Sequence, residues 1–164
     1  MASTLLLNRT TFPKPNEVVR KWYWIDAKDQ VLGRLASKVA AILMGKMKPS
    51  FARSVDVGDF AIVTNVDKIK LTGSKLEDKH AFYHTGHPGG ATDLPYKKLY
   101  AERPEKMLEI AVDKMLPRTR LAHRQILRLK MYRGETHPHG VNNPEKITLQ
   151  SSGSDTRRGS DPLP

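Results

Sequence analysis

Residues 22–45 read WYWIDAKDQVLGRLASKVAAILMG, and this stretch predicts a strand, a turn and a helix in succession. Its first four residues are aromatic or β-branched, which is typical of a strand. Residues 26–30 predict a turn. Between Leu32 and Met44 the apolar side chains recur at helical spacing, and Gly45 predicts the end of the helix.

The rest of the chain continues this alternation of strands and helices. Residues 60–63 form a near-continuous apolar run, as expected for a strand covered on both faces. Residues 69–71 and 81–83 predict further strands, and residues 95–100 predict a short helix. Pro104 suits the first position of a longer helix. The alternation predicts an α/β layered domain with a mainly parallel sheet.

The two ends of the chain differ from its centre. Residues 1–17 predict an irregular N-terminal extension, because Pro13 and Pro15 block regular structure. Residues 151–164 are rich in Ser, Gly, Asp, Arg and Pro, which predicts a disordered tail. The 164 residues therefore predict one domain over residues 18–150 with an extension at each end.

Composition excludes several classes of protein. There is no cysteine, so disulfides, thiolate nucleophiles and cysteine-ligated zinc are excluded. No apolar run is long enough to span a bilayer. The net charge of +11 and the pI near 9.9 favour a nucleic-acid partner. We expect a cytoplasmic protein, while the Ser- and Thr-containing start with no acid before Glu17 leaves an organelle transit peptide open.

A basic window between Lys114 and Gly134 holds seven cationic side chains and no acidic one. Arg120, Arg124 and Arg128 are spaced i, i+4, i+8, so on a helix they would form one stripe. Like charges at this spacing repel, which favours a polyanionic partner over a merely solvated helix face. The seven cations of the window are Lys114, Arg118, Arg120, Arg124, Arg128, Lys130 and Arg133.

Two further segments could contact phosphate. Lys46, Lys48 and Arg53 follow the first predicted helix, and they form either a second cationic patch or a solvated loop. Residues 85–90 read Thr-Gly-His-Pro-Gly-Gly, and their three glycines permit close approach of backbone N–H groups to phosphate. A plain turn is the alternative for this loop, and neither nucleotide-binding glycine pattern is present.

The histidines and a pair of carboxylates raise the question of a metal ion. His80, His84 and His87 lie close in sequence. On a strand His80 and His84 share a face but are too far apart for one ion without a bend, so surface contacts with nucleic acid are favoured. Asp56 and Asp59 could hold magnesium for phosphoryl chemistry. With no partner base or nucleophile nearby, capping of a turn is favoured.

Taken in order, several motifs resemble those of the bacterial-type large-subunit ribosomal protein thirteen family. The resemblance covers about residues 19–149, and its specificity comes from the order and spacing of the fragments. The motifs are Val31-Leu32-Gly33-Arg34-Leu35-Ala36, Val57-Gly58-Asp59, Leu71-Thr72-Gly73-Ser74-Lys75, Tyr83-His84-Thr85-Gly86-His87-Pro88-Gly89-Gly90, Arg103-Pro104-Glu105, Met115-Leu116-Pro117 and Tyr132-Arg133-Gly134-Glu135-Thr136-His137-Pro138-His139.

The resemblance implies a three-layer α/β fold with a central, mainly parallel sheet flanked by helices. It also implies binding to large-subunit ribosomal RNA, a role in early subunit assembly and translation, neighbouring large-subunit proteins as partners, and no catalytic activity. We expect no cofactor, metal, membrane or small-molecule substrate. The predicted RNA-binding residues are Lys46, Lys48, Arg53, Lys75, His84, Thr85, Gly86, His87, Arg118, Arg120, Arg124, Arg128, Lys130 and Arg133.

The chain departs from the family pattern at two places, and two other functions stay open. Arg53-Ser54 stands where the family usually has Pro-His. Residues 118–124 read Arg-Thr-Arg-Leu-Ala-His-Arg, whereas the family usually has Lys-Gly here, followed later by Gly-Arg. The alternatives are an RNA-binding repressor of its own messenger outside the ribosome, and a magnesium-dependent nucleic-acid enzyme that uses Asp56 and Asp59. The ribosome could be cytoplasmic or that of an organelle.

Overall fold

The computed structural model describes residues 13–148, and in this part of the chain a four-stranded parallel sheet forms the centre. The strand order is β5-β2-β1-β6, and a separate antiparallel hairpin pairs β3 with β4. The strands are β1 (Trp22–Asp26), β2 (Phe60–Thr64), β3 (His80–His84), β4 (Ala91–Pro95), β5 (Leu129–Met131) and β6 (Glu145–Ile147).

Five α-helices lie within the described residues, together with three short 3-10 turns. The helices are α1 (Leu32–Met44), α2 (Lys75–Asp78), α3 (Tyr96–Glu102), α4 (Pro104–Asp113) and α5 (Arg120–Ile126). The 3-10 turns are Pro15–Glu17, Val66–Lys68 and Gly140–Asn142. In this same part of the chain, no helix has both the length and the apolar composition needed to cross a bilayer.

The order of the strands determines which segment covers which face of the sheet. The chain moves from β1 to β2 to β5 in one direction, and then returns across the sheet to β6. Because parallel crossovers are right-handed, the return connection, residues 132–144, must cover the face opposite α1. Its His137 and His139 do lie against Trp24 and Trp22 of β1. The domain therefore has helices on one face, the sheet, and this connection on the other face.

The main core lies between the sheet and the helices. Ile25, Ala61 and Val63 point from the sheet into the same cluster as α1, and Leu108 of α4 completes it. Ile62 points to the opposite face and is also fully buried. This arrangement confirms that β2 is covered on both faces, as its continuous apolar sequence predicts.

Two glycines fix the end of α1 and the loop that follows it. Gly45 has φ of 76°, a left-handed conformation that ends the helix, and its N–H bonds to the Ile42 carbonyl. A Cβ at Gly58 would overlap the carbonyl of Leu43. The loop of residues 45–59 therefore lies directly against the end of α1, and only glycine fits at position 58.

Most of the predicted elements are confirmed, together with the α/β class and the mainly parallel sheet. The strand at β1, the bounds of α1, the strand at β2 and the start of α4 agree with the sequence. Residues 69–71 do not form a strand, because Lys70 makes only an isolated bridge to Val31. The strands β4, β5 and β6 were not predicted, and β5 occupies the end of the predicted basic helix. The predicted extension of residues 1–17 lies mostly outside the described residues, and the tail of residues 151–164 lies entirely outside them.

Candidate nucleic-acid interface

Helix α5 carries the exposed part of the basic window. Arg120 and Arg124 are exposed and four residues apart, so they share one helix face, while Ala122 and Gln125 are buried against the domain. Within residues 13–148, neither arginine takes part in an ion pair. The predicted row of guanidiniums is therefore present with two members, both free to meet an anionic partner.

Arg128 does not belong to this row, and the predicted three-arginine stripe is wrong. The helix ends at Ile126, and Arg128 lies after a turn with 7% of its surface exposed. Its two terminal nitrogens donate to both carboxylate oxygens of Asp56 at 2.5 and 2.6 Å, and Nη2 also donates to the Leu43 carbonyl at 3.1 Å. This bidentate pair with a partly buried carboxylate turns the side chain away from solvent.

Lys48 is also directed into the protein, so it does not form the free cation that the sequence predicted. Its Nζ donates to the Asp59 carboxylate at 2.6 Å, to the Val19 carbonyl at 2.9 Å and to the Val57 carbonyl at 3.0 Å. An ammonium group has three N–H donors, and all three are occupied here. Lys48 therefore connects the loop of residues 45–59 to the segment before β1.

Asp56 contacts two arginines. Arg20 Nη2 lies 3.5 Å from Oδ2 of Asp56, the oxygen that also accepts the hydrogen bond from Arg128 Nη1. Burial opposes ionisation of this carboxyl, but the hydrogen bonds and charge of Arg128, the charge of Arg20 and the Gly58 N–H lower its pKa below the ordinary value of 3.8. We call this group the amino-edge cluster, since it lies where the parallel strands begin. It consists of Arg20, Lys48, Asp56, Asp59 and Arg128.

The cluster accounts for both carboxylates that the sequence raised as magnesium ligands. Asp59 accepts a hydrogen bond from the backbone N–H of Lys21 at 2.8 Å, and Asp56 accepts one from the N–H of Gly58. Capping of backbone N–H groups was the favoured interpretation, and the cationic partners are an addition to it. No set of three or more His, Cys, Asp and Glu side chains in residues 13–148 is placed to hold a metal ion.

Arg133 is exposed but already paired. Its Nε and Nη2 donate to the two carboxylate oxygens of Glu105 at 2.5 and 3.0 Å, and Nη2 also donates to the Glu102 carbonyl at 2.9 Å. The hydrogen bond from Arg133 lowers the pKa of Glu105, which lies in the first turn of α4. Arg133 thus joins the end of β5 to the start of α4.

The glycine-rich loop forms the tip of the β3–β4 hairpin. Thr85 N–H donates to the Gly90 carbonyl at 3.1 Å, and Gly90 N–H donates to the His87 carbonyl at 3.0 Å. Gly86 and Gly89 have φ of 86° and 74°, so they let the chain turn without a side chain on the outside. The loop is exposed, and it brings His84, Thr85, Gly86 and His87 together at one projecting end.

Three other histidines contact side chains of the domain. His80 Nδ1 lies 2.9 Å from Asp93 across the hairpin. His137 packs edge-on against Trp24, and His139 Nε2 lies 2.8 Å from the Tyr132 hydroxyl. His137 and His139 therefore help to cover the second face of the sheet, whereas His84 and His87 remain at the surface.

A cleft of about 570 Å³ separates the hairpin from the start of α1 and the end of α4. We call it the hairpin cleft. Lys75, Lys79 and Lys114 are among its lining residues, and no carboxylate lines it. Lys114 also lines a second recess of about 310 Å³ together with Arg118 and His123 at the start of α5. The hairpin cleft and the basic end of α5 are therefore parts of one continuous surface.

The sequence prediction missed the apolar part of this surface. Phe82, Tyr83 and Met115 line the hairpin cleft and are 64%, 40% and 43% exposed. One signal was available: adjacent residues on a strand point to opposite faces, so Phe82 and Tyr83 cannot both enter one core. Because the hairpin packs against the domain with one face, at least one of these two aromatic rings stays uncovered.

The remaining predicted residues occupy separate places. Lys46 and Arg53 are exposed in the loop after α1, and Lys75 at the hairpin cleft donates to the Thr72 hydroxyl at 2.9 Å. Lys130 lies in β5 in register with Ile62, on the sheet face opposite the helices. The predicted residues thus do not form one stripe, and those without an ion pair among the described residues lie in the loop after α1, on β5, at the hairpin cleft and around α5.

Comparison with known proteins identifies the family. The sequence model of ribosomal protein L13 matches residues 20–138, which contain the sheet up to β5, the hairpin and all five helices. The chain belongs to the ribosomal protein L13 family. This family is structural and not enzymatic, which agrees with the expectation from the sequence and sets aside the magnesium-dependent enzyme.

Bacterial members of the L13 family are similar to the chain over most of its length. The protein called large ribosomal subunit protein uL13 of Thermoanaerobacter sp. (strain X514) is 55% identical over 137 residues, 84% of this chain and 96% of the relative. The protein of the same name from Caldicellulosiruptor saccharolyticus is 50% identical over 141 residues, 86% of this chain and 99% of the relative. The protein of this name from Thermotoga petrophila is 46% identical over 149 residues, which is 91% of this chain and 100% of the relative.

Proposed function

We propose that this chain is a structural constituent of the large ribosomal subunit that binds large-subunit ribosomal RNA. The observation that carries the proposal is the exposed basic surface around α5 in a chain of the L13 family. Arg120 and Arg124 have no ion-pair partner within residues 13–148, and Lys114 and Arg118 extend the same surface. Such uncompensated cations suit a phosphate backbone.

Binding on this surface would combine charge neutralisation with recognition of shape. Each cation that meets a phosphate releases counterions, which makes affinity depend on salt. The hairpin tip adds backbone N–H groups and the Thr85 hydroxyl, which can fix the register of the protein on the RNA. Double-stranded RNA is recognised mainly by such backbone and shape contacts, so no side chain needs to read a base edge here.

The paired cations receive a different role in this proposal. Arg128, Lys48 and Arg133 are occupied by protein oxygens, so we assign them to holding the RNA-binding elements in place. We keep Lys46, Arg53, Lys75, Lys130 and the residues of the hairpin tip as proposed contacts. The RNA-binding domain would comprise residues 18–150, act early in subunit assembly, and contact neighbouring large-subunit proteins.

The experiment is a salt titration of the binding of the full chain to large-subunit ribosomal RNA. We expect Arg120→Ala and Arg124→Ala each to lower the affinity and to reduce the slope of log K against log salt by about 0.7 to 0.9. Lys28→Ala is the matched control, because this exposed cation lies beside Asp26 and Asp29, which already compensate its charge. Unchanged slopes for both arginine variants would show that α5 does not face RNA.

Sedimentation distinguishes a ribosomal constituent from a repressor that acts outside the ribosome. We expect the protein to remain with large subunits through a high-salt wash. Release of the whole population into the free fraction, with RNA binding retained, would favour the repressor.

A further inference from the structure

We propose that the hairpin cleft receives an unpaired RNA nucleotide, with its base against Phe82 and its phosphate near Lys75 and Lys114. This inference rests on the proposed function and adds to it. The basic surface accounts for binding to the RNA backbone, whereas the cleft would select a single-stranded or bulged position within that RNA.

The hairpin cleft has an exposed apolar surface. Seven large apolar side chains are exposed within residues 13–148, and three of them, Phe82, Tyr83 and Met115, line this cleft. Apolar patches of this kind mark binding sites. Leu71 and Ala111 continue the apolar lining inward.

The hairpin cleft is also positively charged. Four lysines line the cleft, and no Asp or Glu lines it. Lys70 is paired with Asp29, and Lys79 lies over the Tyr96 ring at 4.8 Å. Lys75 and Lys114 make no ion pair within the described part of the chain. An occupant must therefore combine a flat apolar group with negative charge, and a nucleotide combines both.

The position of the cleft also fits an RNA partner. The cleft lies between strand β3 of the hairpin and the end of α4, and its Lys114 also lines the recess that contains Arg118. An RNA backbone that follows the basic surface would pass the cleft mouth. Sequence-tolerant recognition of unpaired RNA uses this combination of an aromatic platform with adjacent cations.

The test compares two short RNA probes, an unstructured single strand and a blunt duplex of equal length, on the full chain. Replacement of a stacking aromatic weakens binding by roughly fivefold to 150-fold per base. We expect Phe82→Leu to weaken single-strand binding within that range with no change of salt slope, and to leave duplex binding near the wild-type value. Phe82→Tyr keeps the ring and should bind as the wild type does.

The cationic half of the cleft has its own readout. We expect Lys114→Ala to reduce the salt slope for the single strand by about 0.7, the value for one phosphate of a single strand. Val141→Ala is the apolar control, because Val141 is 92% exposed on the connection that covers the other sheet face. Since Phe82 is 64% exposed, its variants should fold, which thermal unfolding would verify.

Three results would overturn the inference. Equal single-strand affinity for Phe82→Leu and the wild type would show that no base stacks in the cleft. Equal weakening by Phe82→Leu and Phe82→Tyr would also exclude stacking. Normal RNA binding by Phe82→Leu with loss of incorporation into large subunits would assign the cleft to a protein partner. By contrast, wild-type protein that binds neither probe nor ribosomal RNA would contradict the proposed function itself.

Discussion

Two groups of arginine and lysine in this protein have the same charge and opposite environments. At the amino-edge cluster, Arg128 and Lys48 are surrounded by protein oxygens and partly or fully withdrawn from water. Around α5, Arg120 and Arg124 have no ionic partner among the described residues and are exposed. The comparison shows that a surplus of positive charge does not itself locate a nucleic-acid interface. We therefore propose the interface around α5, where Arg120 and Arg124 have no ion-pair partner among the described residues.

The largest expected effect is a loss of folding stability when a cation of the amino-edge cluster, but not one of the exposed group, is replaced. We expect Arg128→Met to lower the free energy of unfolding by about 3 kcal/mol, since it removes both hydrogen bonds to Asp56 and the one to the Leu43 carbonyl. Asp56 would keep only the 3.5 Å contact with Arg20 and the Gly58 N–H. Urea denaturation measures this. Arg124→Ala, the matched change in the exposed group, should stay within about 0.5 kcal/mol of the wild type.

A second substitution, at Asp56, tests the cause of the stability loss in Arg128→Met. If the loss comes from an uncompensated carboxylate, Asp56→Leu should recover part of the stability of Arg128→Met. Similar unfolding free energies for Arg128→Met and Arg124→Ala would remove the distinction between the two groups.

A smaller loss is expected at the other ion pair of the cluster. The Lys48 side chain is 20% exposed and that of Asp59 is 3% exposed, so Lys48→Met would leave a buried carboxylate that still accepts the Lys21 N–H. Because that hydrogen bond remains and water can reach the vacated position, we expect a loss of about 2 kcal/mol by urea denaturation. Lys46→Met, an exposed cation two residues away, is the control and should have little effect.

The smallest effect in this series is the response of the wild type to acid. The folded-state pKa of Asp56 lies below its unfolded value. Its ionisation therefore contributes stability above the unfolded pKa, and this contribution is lost as the pH falls through the folded pKa. We expect the unfolding free energy to decrease below about pH 4, and to decrease less in Asp56→Asn. Parallel pH profiles for the two proteins would show that the loss arises at other carboxyls.

The parts of the fold that were predictable have strong local signals. The β-branched and aromatic residues of β1, the periodic apolar face of α1 and the left-handed Gly45 specify their own conformations. The three-residue strands β5 and β6 contain Leu129-Lys130-Met131 and Glu145-Lys146-Ile147, which have no such signal. They are strands because β2 and β1 offer them backbone partners.

The candidate site was predictable to a similar extent. Arg120 and Arg124 could be identified because their helix and exposure follow from nearby residues. The burial of Arg128 could not, since its carboxylate partner is 72 residues away and only the sheet order brings the two together. The hairpin cleft likewise depends on how a hairpin lies beside two helices, which no local pattern in the chain specifies.

The amino-edge cluster also has a consequence for the timing of folding during synthesis. Arg128 contacts Asp56 and Leu43, residues made 72 and 85 positions earlier. Contacts of such long range form only after the intervening chain has been released. Until Arg128 has been made, Arg20 is the one arginine of the amino-edge cluster that Asp56 can contact. Before that point the sheet also lacks β5 and β6. We expect the domain to fold cooperatively and late, when almost the whole polypeptide has left the ribosome that makes it.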